Sequence, residues 1–226
     1  SIELNHVYAQ IETFMLKDIT LSIPKGSIIG LLGKNGAGKT TLFKTLMGTH
    51  LKYEGQMTIN GRTYESDERG IRERIAIVHD TLNVNPYIKG ERLFKYTKMM
   101  HSNFDEPYFL SLCDAFSIPL DKKMIKMSLG MQKKLNVALA LSIKPDILLL
   151  DEPFIGIDPI DKKKLITHIQ TFMEDDTKTI LISSHHVEDI EKISDYIAII
   201  DQGEIKLFQD KHAIIDEFVY AKLSRN

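Results

Sequence analysis

The chain has 226 residues, of which 43% are hydrophobic and 27% charged, as is typical of a globular protein with one substantial core. A net charge of −2 excludes the overall basic field that favours general nucleic-acid binding, and the single cysteine, Cys113, excludes an intrachain disulfide and indicates a reducing compartment. No apolar run reaches the roughly 18 residues of a membrane-spanning helix, and residues 1–8 do not resemble a secretory signal. We therefore expect a cytosolic protein whose membrane role would come through a partner.

The first part of the chain predicts strand, turn, strand and helix. Residues 1–32 are rich in β-branched and apolar residues and are interrupted by PKG at 24–26, and helix-forming residues follow over 39–48. Between strand and helix, GKNGAGKT matches the phosphate-binding loop (P-loop) G-x-x-x-x-G-K-[ST]. A chance match is expected in roughly one such chain in a hundred. The predicted nucleotide-binding residues are Gly33, Lys34, Asn35, Gly36, Ala37, Gly38, Lys39, Thr40 and Thr41.

The residue types of the P-loop suit a nucleotide and Mg²⁺. The glycines let backbone N–H groups turn toward phosphate oxygens, and the following helix directs the positive end of its dipole to the same place. Lys39 would reach the terminal phosphates as a point charge, and the Thr40 hydroxyl would bind Mg²⁺.

The middle of the chain changes from strands to helices. Residues 56–62 predict a strand that enters a turn, and IAIVHD at 75–80 predicts a buried strand ending at His79 and Asp80, followed by a polar turn, TLNVNP. That pair alone fits an ordinary strand end, a metal site or a reaction centre. Residues 88–117 predict two helices, so we predict a single domain in which a helical subdomain, 84–142, is inserted into a core formed by 1–83 and 143–226.

From residue 147 onward, apolar strands alternate with helices, which predicts a parallel sheet covered on both faces. The strand in ILLLDEP ends in two carboxylates. Asp151 suits an Mg²⁺ ligand acting through water, and Glu152 suits a residue that aligns and polarises the attacking water. A strand with a solvated acidic end is the alternative, and the upstream P-loop disfavours it.

Together these motifs resemble the ATP-binding subunit of an ABC transporter, over essentially the whole chain. MSLGMQKKL at 127–135 is similar to the family signature LSGGQ, in a variant common among bacterial drug and peptide exporters. The resemblance implies that Ser128, Leu129, Gly130 and Met131 face an ATP held by another subunit. Ser128 and Gly130 match the γ-phosphate-binding positions, whereas Leu129 and Met131 depart from the pattern. Serine before a helix is also an ordinary N-cap, and the family geometry includes that role.

Two later stretches add to the resemblance. GIDP at 156–159 resembles the D-loop, with Asp158 as its acid, and SSHH at 183–186 places His185 at the switch histidine, which contacts the γ-phosphate and the catalytic water. His186 matches no motif position and is expected to be exposed. Tyr8 is preferred as the aromatic residue that stacks on adenine, with Phe14 as its rival.

Set against the family strand written like IGYVPQ, IAIVHD places Asp80 where a glutamine binds Mg²⁺ and links to the membrane subunit. Asp80 offers carboxylate oxygens to Mg²⁺, but it has no amide donor and is one methylene shorter than glutamine. We expect a metal role for Asp80 with a stronger Mg²⁺ dependence of ATP binding. His79 is then a turn residue.

The resemblance implies a mixed α/β P-loop NTPase fold of the ABC type, with an N-terminal antiparallel β subdomain and an inserted helical subdomain. It also implies an ATPase that uses ATP and Mg²⁺ and pairs head to tail with an identical or closely related subunit. A transmembrane permease, an exporter, would dock on the helical subdomain near NPYIKGERLF. The chain would lie on the inner face of the cell membrane through that permease and would bind no nucleic acid.

Two other classes of function compete with this interpretation. DNA-repair ATPases with the same head carry a long coiled-coil insertion, which does not fit between residues 84 and 127, and ABC translation factors carry two such domains. A regulatory module that senses ATP without hydrolysing it is disfavoured because Glu152 and His185 are both present.

Overall fold

The structure is a computed structural model that describes residues 1–11, 13–49, 53–80 and 84–214. Of the predicted turn TLNVNP, residues 81–83 lie outside this part of the chain. The strands are β1 (Ile2–Ile11), β2 (Phe14–Ile23), β3 (Ile28–Leu32), β4 (Tyr53–Ile59), β5 (Ile75–Val78), β6 (Ile147–Asp151), β7 (Thr179–Ser184), β8 (Tyr196–Asp201) and β9 (Glu204–Asp210). The helices are α1 (Lys39–Leu46), α2 (Tyr64–Arg74), α3 (Gly90–Met100), α4 (Glu106–Ala115), α5 (Leu129–Ser142), α6 (Pro159–Phe172) and α7 (Val187–Glu191), with a 3₁₀ turn at Met124–Lys126.

An antiparallel sheet, in the order β2-β1-β4, forms the N-terminal layer. Buried and exposed residues alternate along β1 and β2, as expected for a sheet with one face on the core and one toward solvent. We predicted one strand before the turn at 24–26. The structure instead has two, because the chain reverses between Ile11 and Phe14, which face each other at the end of the β1–β2 pair.

The second sheet has the order β5-β6-β7-β3-β8-β9, and all its neighbours are parallel except β8 and β9. Every residue of β6 and β7 is buried, which explains why these strands read as continuous apolar runs. Leu148 and Leu150 of β6 pack into the core that includes α4 and α5, whereas Ile147 and Leu149 pack into the core under the antiparallel sheet. The mixed α/β fold predicted from the sequence is therefore confirmed.

The segment 84–142 contains α3, α4, the 3₁₀ turn and α5. Phe94 of α3 stacks on Phe109 of α4 with ring centroids 4.7 Å apart, and Phe104 packs against both rings. The division of the chain at 84 and 142 stays a prediction. Within the described residues, no helix is both long and apolar enough to cross a membrane.

The order of the parallel strands places the predicted motifs at one edge of the second sheet. β3 leads into the P-loop and α1, β6 ends at Asp151, and β7 is followed by His185. β5 ends two residues before Asp80. Because neighbouring parallel strands end on the same side, these four segments meet there.

Candidate nucleotide site

The P-loop wraps the start of α1. Gly36 and Gly38 have positive φ angles of 80° and 115°, the left-handed region that favours glycine. At Gly38 a Cβ atom would also lie 2.9 Å from Cε1 of Phe14, so the loop needs glycine there for space as well as for conformation. The first N–H groups of α1 are thus directed into the cleft above the loop.

Lys39 lies folded back over its own loop. Its ammonium donates to the carbonyl oxygens of Gly33 at 2.7 Å and Lys34 at 3.3 Å, and lies 3.3 Å from Oε1 of Glu152. The side chains of Lys39 and Glu152 are both less than a tenth exposed, so this ion pair is largely shielded from water.

Asp151 is held by hydroxyl groups on both of its oxygens. Thr40 Oγ1 donates to Oδ2 at 2.7 Å, and Ser183 Oγ donates to Oδ1 at 2.6 Å. Asp151 is buried, so these two bonds fix its orientation toward the P-loop. They also place the Thr40 hydroxyl and a carboxylate side by side as oxygen ligands.

These two groups fit Mg²⁺, which binds through one or two carboxylates, substrate phosphates and water rather than an all-protein cage. The described residues contain no cluster of three or more His, Cys, Asp or Glu side chains that could hold a metal.

Glu152 contacts other residues of the site through both its side chain and its backbone. Its Oε1 lies 3.0 Å from Nδ1 of His185. The same oxygen atom also faces Lys39. Its N–H donates to Ser183 Oγ at 3.0 Å. Its φ of 48° is unusual for a residue other than glycine, so the backbone here is strained and held in place by its neighbours.

Asp80 reaches this edge of the sheet but has a protein partner. Its Oδ1 accepts a hydrogen bond of 2.8 Å from Nζ of Lys133, and its side chain is half exposed beside the P-loop residues. Its predicted role as an Mg²⁺ ligand stays a prediction. Desolvation lowers the pKa of the adjacent His79 below its usual 6.5, although the charge of Asp151 opposes this shift, so His79 is neutral at pH 7.

The signature residues lie at the start of α5 and against the loop after β6. Ser128 is the N-cap of α5, and its hydroxyl accepts from the N–H of Met131 at 3.2 Å. Gly130 packs so closely on the loop after β6 that a Cβ would lie 2.2 Å from the carbonyl oxygen of Gly156. Leu129 is 46% exposed. Among the described residues, no hydrogen bond or ion pair joins 128–131 to the P-loop.

The D-loop acid also has a structural role. Asp158 is the N-cap of α6, and its Oδ1 accepts from the N–H groups of Ile160 at 3.0 Å and Asp161 at 3.1 Å. Asp158 itself is exposed, which leaves its outer face open.

Of the two candidate rings for adenine stacking, Phe14 lies nearer the P-loop, and the stacking role of either ring stays a prediction. Phe14 lines the cleft formed by the P-loop with Asp151 and Glu152, whereas Tyr8 lines a separate hollow with Met15 and Tyr53. The reason is the β1–β2 reversal, which sequence spacing does not reveal: it brings the start of β2 against Gly38 and leaves Tyr8 on β1 facing elsewhere.

Two residues of the site were missed from the sequence, Lys133 and Ser183. A signal for Lys133 exists, since it lies four and eight residues before Val137 and Leu141, both buried on α5, so helical spacing places it on the apolar face. No comparable signal marks Ser183. Because β7 is buried on both faces, its residues do not alternate between buried and exposed, and the sequence pattern does not single out one of them.

Comparison with known proteins agrees with this geometry. The sequence profile of the family described as ABC transporter matches residues 16–155, more than half of the chain, and a profile of an AAA domain matches 123–188. The lantibiotic transport ATP-binding protein SrtF of Streptococcus pyogenes is 34% identical over 197 residues, covering 85% of this chain and 83% of SrtF. The chain therefore belongs to the ABC transporter family.

Two further relatives are longer than this chain. An uncharacterized ABC transporter ATP-binding protein of Bacillus subtilis (strain 168), YdbJ, is 31% identical over 85% of the chain, and the bacitracin transport ATP-binding protein BcrA of Enterococcus faecalis is 28% identical over 86%. The matched regions span only 63% of YdbJ and 64% of BcrA.

Solved structures share the fold. An ATP-binding subunit of an ABC transporter superposes with a TM-score of 0.85 at 24% identity, covering 96% of this chain and 92% of that one. The ATP-binding cassette MJ0796, in a dimeric post-hydrolysis state bound to ADP and Pi, gives a TM-score of 0.80 at 20% identity, covering 93% and 99%. At these identities the likeness concerns the fold.

Proposed function

We propose that the chain binds and hydrolyses ATP with Mg²⁺ and that hydrolysis requires a second copy of the chain or a close relative. The observation that supports this best is the position of Glu152, whose Oε1 faces both His185 and Lys39 beside the Thr40–Asp151 pair. A carboxylate in this position is suited to align and polarise a water molecule that attacks the terminal phosphate.

The remaining groups have complementary tasks. Thr40 and Asp151 would hold Mg²⁺, which neutralises developing charge on the phosphates. On ATP binding, Lys39 would exchange the carbonyl oxygens of its own loop for phosphate oxygens, freeing Glu152 from the ion pair while His185 keeps it oriented. Phe14, rather than Tyr8, would stack on the adenine, because it lines the P-loop cleft.

We propose a head-to-tail dimer because, in the part of the chain that the structure describes, no hydrogen bond or ion pair joins the P-loop to the Ser128 motif. Ser128, Leu129 and Asp158 are exposed, so they are available to a second subunit. The dimeric state of the MJ0796 cassette, which has the same fold, supports this arrangement.

We also propose that a transmembrane permease docks on the segment 84–142 and that the pair acts as an exporter at the membrane. Tyr87 and Tyr96, 65% and 40% exposed, line one hollow on this segment, and Met99 and Met100 are exposed one helical turn further along α3. The SLGM signature and the relatives named for bacitracin and lantibiotic transport support transport as the purpose. The direction is tested by ATP-driven uptake of cargo into inside-out vesicles carrying the chain and its permease.

Phosphate release from Mg²⁺-ATP by the purified chain tests the ATPase proposal. Glu152→Gln keeps the size of the side chain but removes its charge, so we expect kcat to fall at least about 100-fold. ATP affinity should stay within about threefold, since the P-loop is untouched. In the presence of ATP the variant should elute as a dimer, because bound nucleotide is not consumed.

Glu174→Gln is the matched control, because Glu174 is exposed after α6 and takes no part in the site. It should match the unmodified chain in every measurement. If the unmodified chain binds ATP but shows no turnover at high concentration and with its membrane partner, a sensor of ATP replaces the ATPase. If it does not bind ATP at all, the proposal fails.

A further inference from the structure

A buried lysine joins three parts of the nucleotide site. Lys133 lies on α5 and is only 2% exposed. Its Nζ donates to Asp80 Oδ1 at 2.8 Å, to the carbonyl oxygen of Glu152 at 3.0 Å and to the carbonyl oxygen of Asp151 at 3.3 Å. An ammonium group has three protons, so these three acceptors match its full donor capacity.

The charge of Lys133 is compensated by Asp80. A charge this deeply buried is costly unless it is paired and hydrogen-bonded, and Asp80 supplies the opposite charge from the end of β5. Asp80 is itself 48% exposed, so the pair spans from the interior to the nucleotide cleft. In the structure, therefore, Asp80 serves as the counter-ion of Lys133.

The second partner of Lys133 is the strained peptide of the Glu152 residue. Glu152 has a φ of 48°, and its backbone is held on both sides, by Ser183 Oγ at the N–H and by Lys133 at the carbonyl oxygen. A strained conformation persists only where its surroundings determine it. The bond from Lys133 therefore helps to set the direction in which the Glu152 carboxylate leaves the strand.

Lys133 also connects these strand ends to the Ser128 motif. Ser128 caps the N-terminus of α5, and Lys133 lies little more than one turn into the same helix. Gly130, between them, packs on the Gly156 carbonyl with no room for a side chain. The motif, the lysine and the strand ends are thus parts of one tightly packed unit.

We propose that Lys133 is a positioning residue for ATP hydrolysis, whose ammonium fixes the peptides of Asp151 and Glu152 and holds Asp80 at the nucleotide cleft. This inference rests on the proposed ATPase function. It assigns Lys133 an effect on turnover rather than on ATP binding, because Lys133 contacts the residues that orient the water and the metal and does not line the P-loop.

Lys133→Met tests the proposal, since it removes the ammonium and keeps the length of the stem. We expect kcat to fall at least about 30-fold, with the Kd of a fluorescent ATP analogue, measured at equilibrium, within about threefold. Lys134→Met is the control: Lys134 is the next residue of α5 and 11% exposed, but it pairs with Asp161 at 2.5 Å, away from the strand ends. Its kcat should change less than about threefold.

A pair of amide variants separates positioning from a purely structural role. Lys133→Gln shortens one side chain by one atom, and Asp80→Gln lengthens the other by one atom, so two glutamines span the same gap with an uncharged hydrogen bond. We expect D80Q/K133Q to recover kcat at least about tenfold over K133Q. The comparison does not depend on Lys133→Met folding.

Each result decides between the alternatives. A kcat in Lys133→Met equal to that of the unmodified chain, with only the Tm lowered, would show a structural role and overturn the proposal. So would D80Q/K133Q no faster than K133Q. An unmodified chain that does not bind the ATP analogue, or binds it without turnover, would instead refute the ATPase function itself.

Discussion

The P-loop half and the Ser128 half of the proposed nucleotide site are built in opposite ways. In the P-loop half, Lys39, Asp151 and Glu152 are nearly buried and bonded to one another or to shared partners. In the other half, Ser128 is exposed and its hydroxyl bonds to the N–H of its own helix. The first half is held together by contacts among its own side chains, whereas the second presents an exposed surface.

This difference suits the proposed head-to-tail dimer. Preorganised polar groups are most effective where water is excluded. In the proposed dimer, the exposed Ser128 surface of one subunit would cover the P-loop cleft of the other.

The largest effect is expected from disabling one half in each of two chains. Lys39→Ala removes the phosphate-binding ammonium, and Ser128→Arg places a bulky side chain on the surface that faces the partner's ATP. Each variant alone should lose ATPase activity at least about 100-fold. An equal mixture should recover about a quarter of the activity of the unmodified chain. About half of the dimers would then contain one chain of each variant, and each of these mixed dimers would have one intact site of two.

Size-exclusion chromatography and ATP binding provide the checks on that mixture. Ser128→Arg should still bind ATP as a single chain, whereas Lys39→Ala should not. A mixture as inactive as its components would mean that the two halves of a site come from the same chain.

A smaller effect is expected from loosening the P-loop half from within. Ser183→Ala removes the hydroxyl that donates to Asp151 and accepts from the N–H of Glu152. We expect kcat to fall about 10- to 30-fold and the free energy of unfolding to fall by about 1–3 kcal/mol, measured by phosphate release and urea denaturation. Ser194→Ala is the matched control, because Ser194 is fully buried and donates to Ile190, remote from the motifs. Equal losses of kcat in the two variants would argue against a specific role for Ser183.

The smallest effect concerns the adenine. Phe14→Ala should weaken ATP binding about tenfold through loss of a stacking surface, and Phe14→Tyr should restore it because the ring returns. Tyr8→Ala should change the Kd by less than about twofold, since Tyr8 lies in another hollow. Titration with a fluorescent ATP analogue measures all three. A larger loss of affinity with Tyr8→Ala than with Phe14→Ala would assign the adenine-stacking role to Tyr8.

Local sequence patterns predicted the α/β class, the P-loop between β3 and α1 and the two carboxylates at the end of β6. These features depend on short-range rules: glycines where the chain turns, and continuous apolar runs where a strand is buried on both faces. The convergence of Glu152 with His185 follows from the same rules, since parallel strands end together, although their predicted roles remain to be measured.

Long-range pairing was beyond those rules. The position of Phe14 beside the P-loop depends on the reversal between β1 and β2, and the contacts of Ser183 depend on the register of β6 and β7, which pairs it with Asp151. The partner of Asp80 lies 53 residues away on α5. Nothing in IAIVHD itself indicates a lysine there.

The sequence by itself therefore determined which chemical groups this protein brings to a nucleotide, because motif spacing and strand order are local properties. Only the tertiary structure decided how those groups are held: Asp80 by Lys133, Asp151 by Thr40 and Ser183, and the Glu152 backbone by Ser183 and Lys133. The physical reason is that buried charges and strained peptides must find partners wherever packing brings them, and packing joins residues without regard to their distance along the chain.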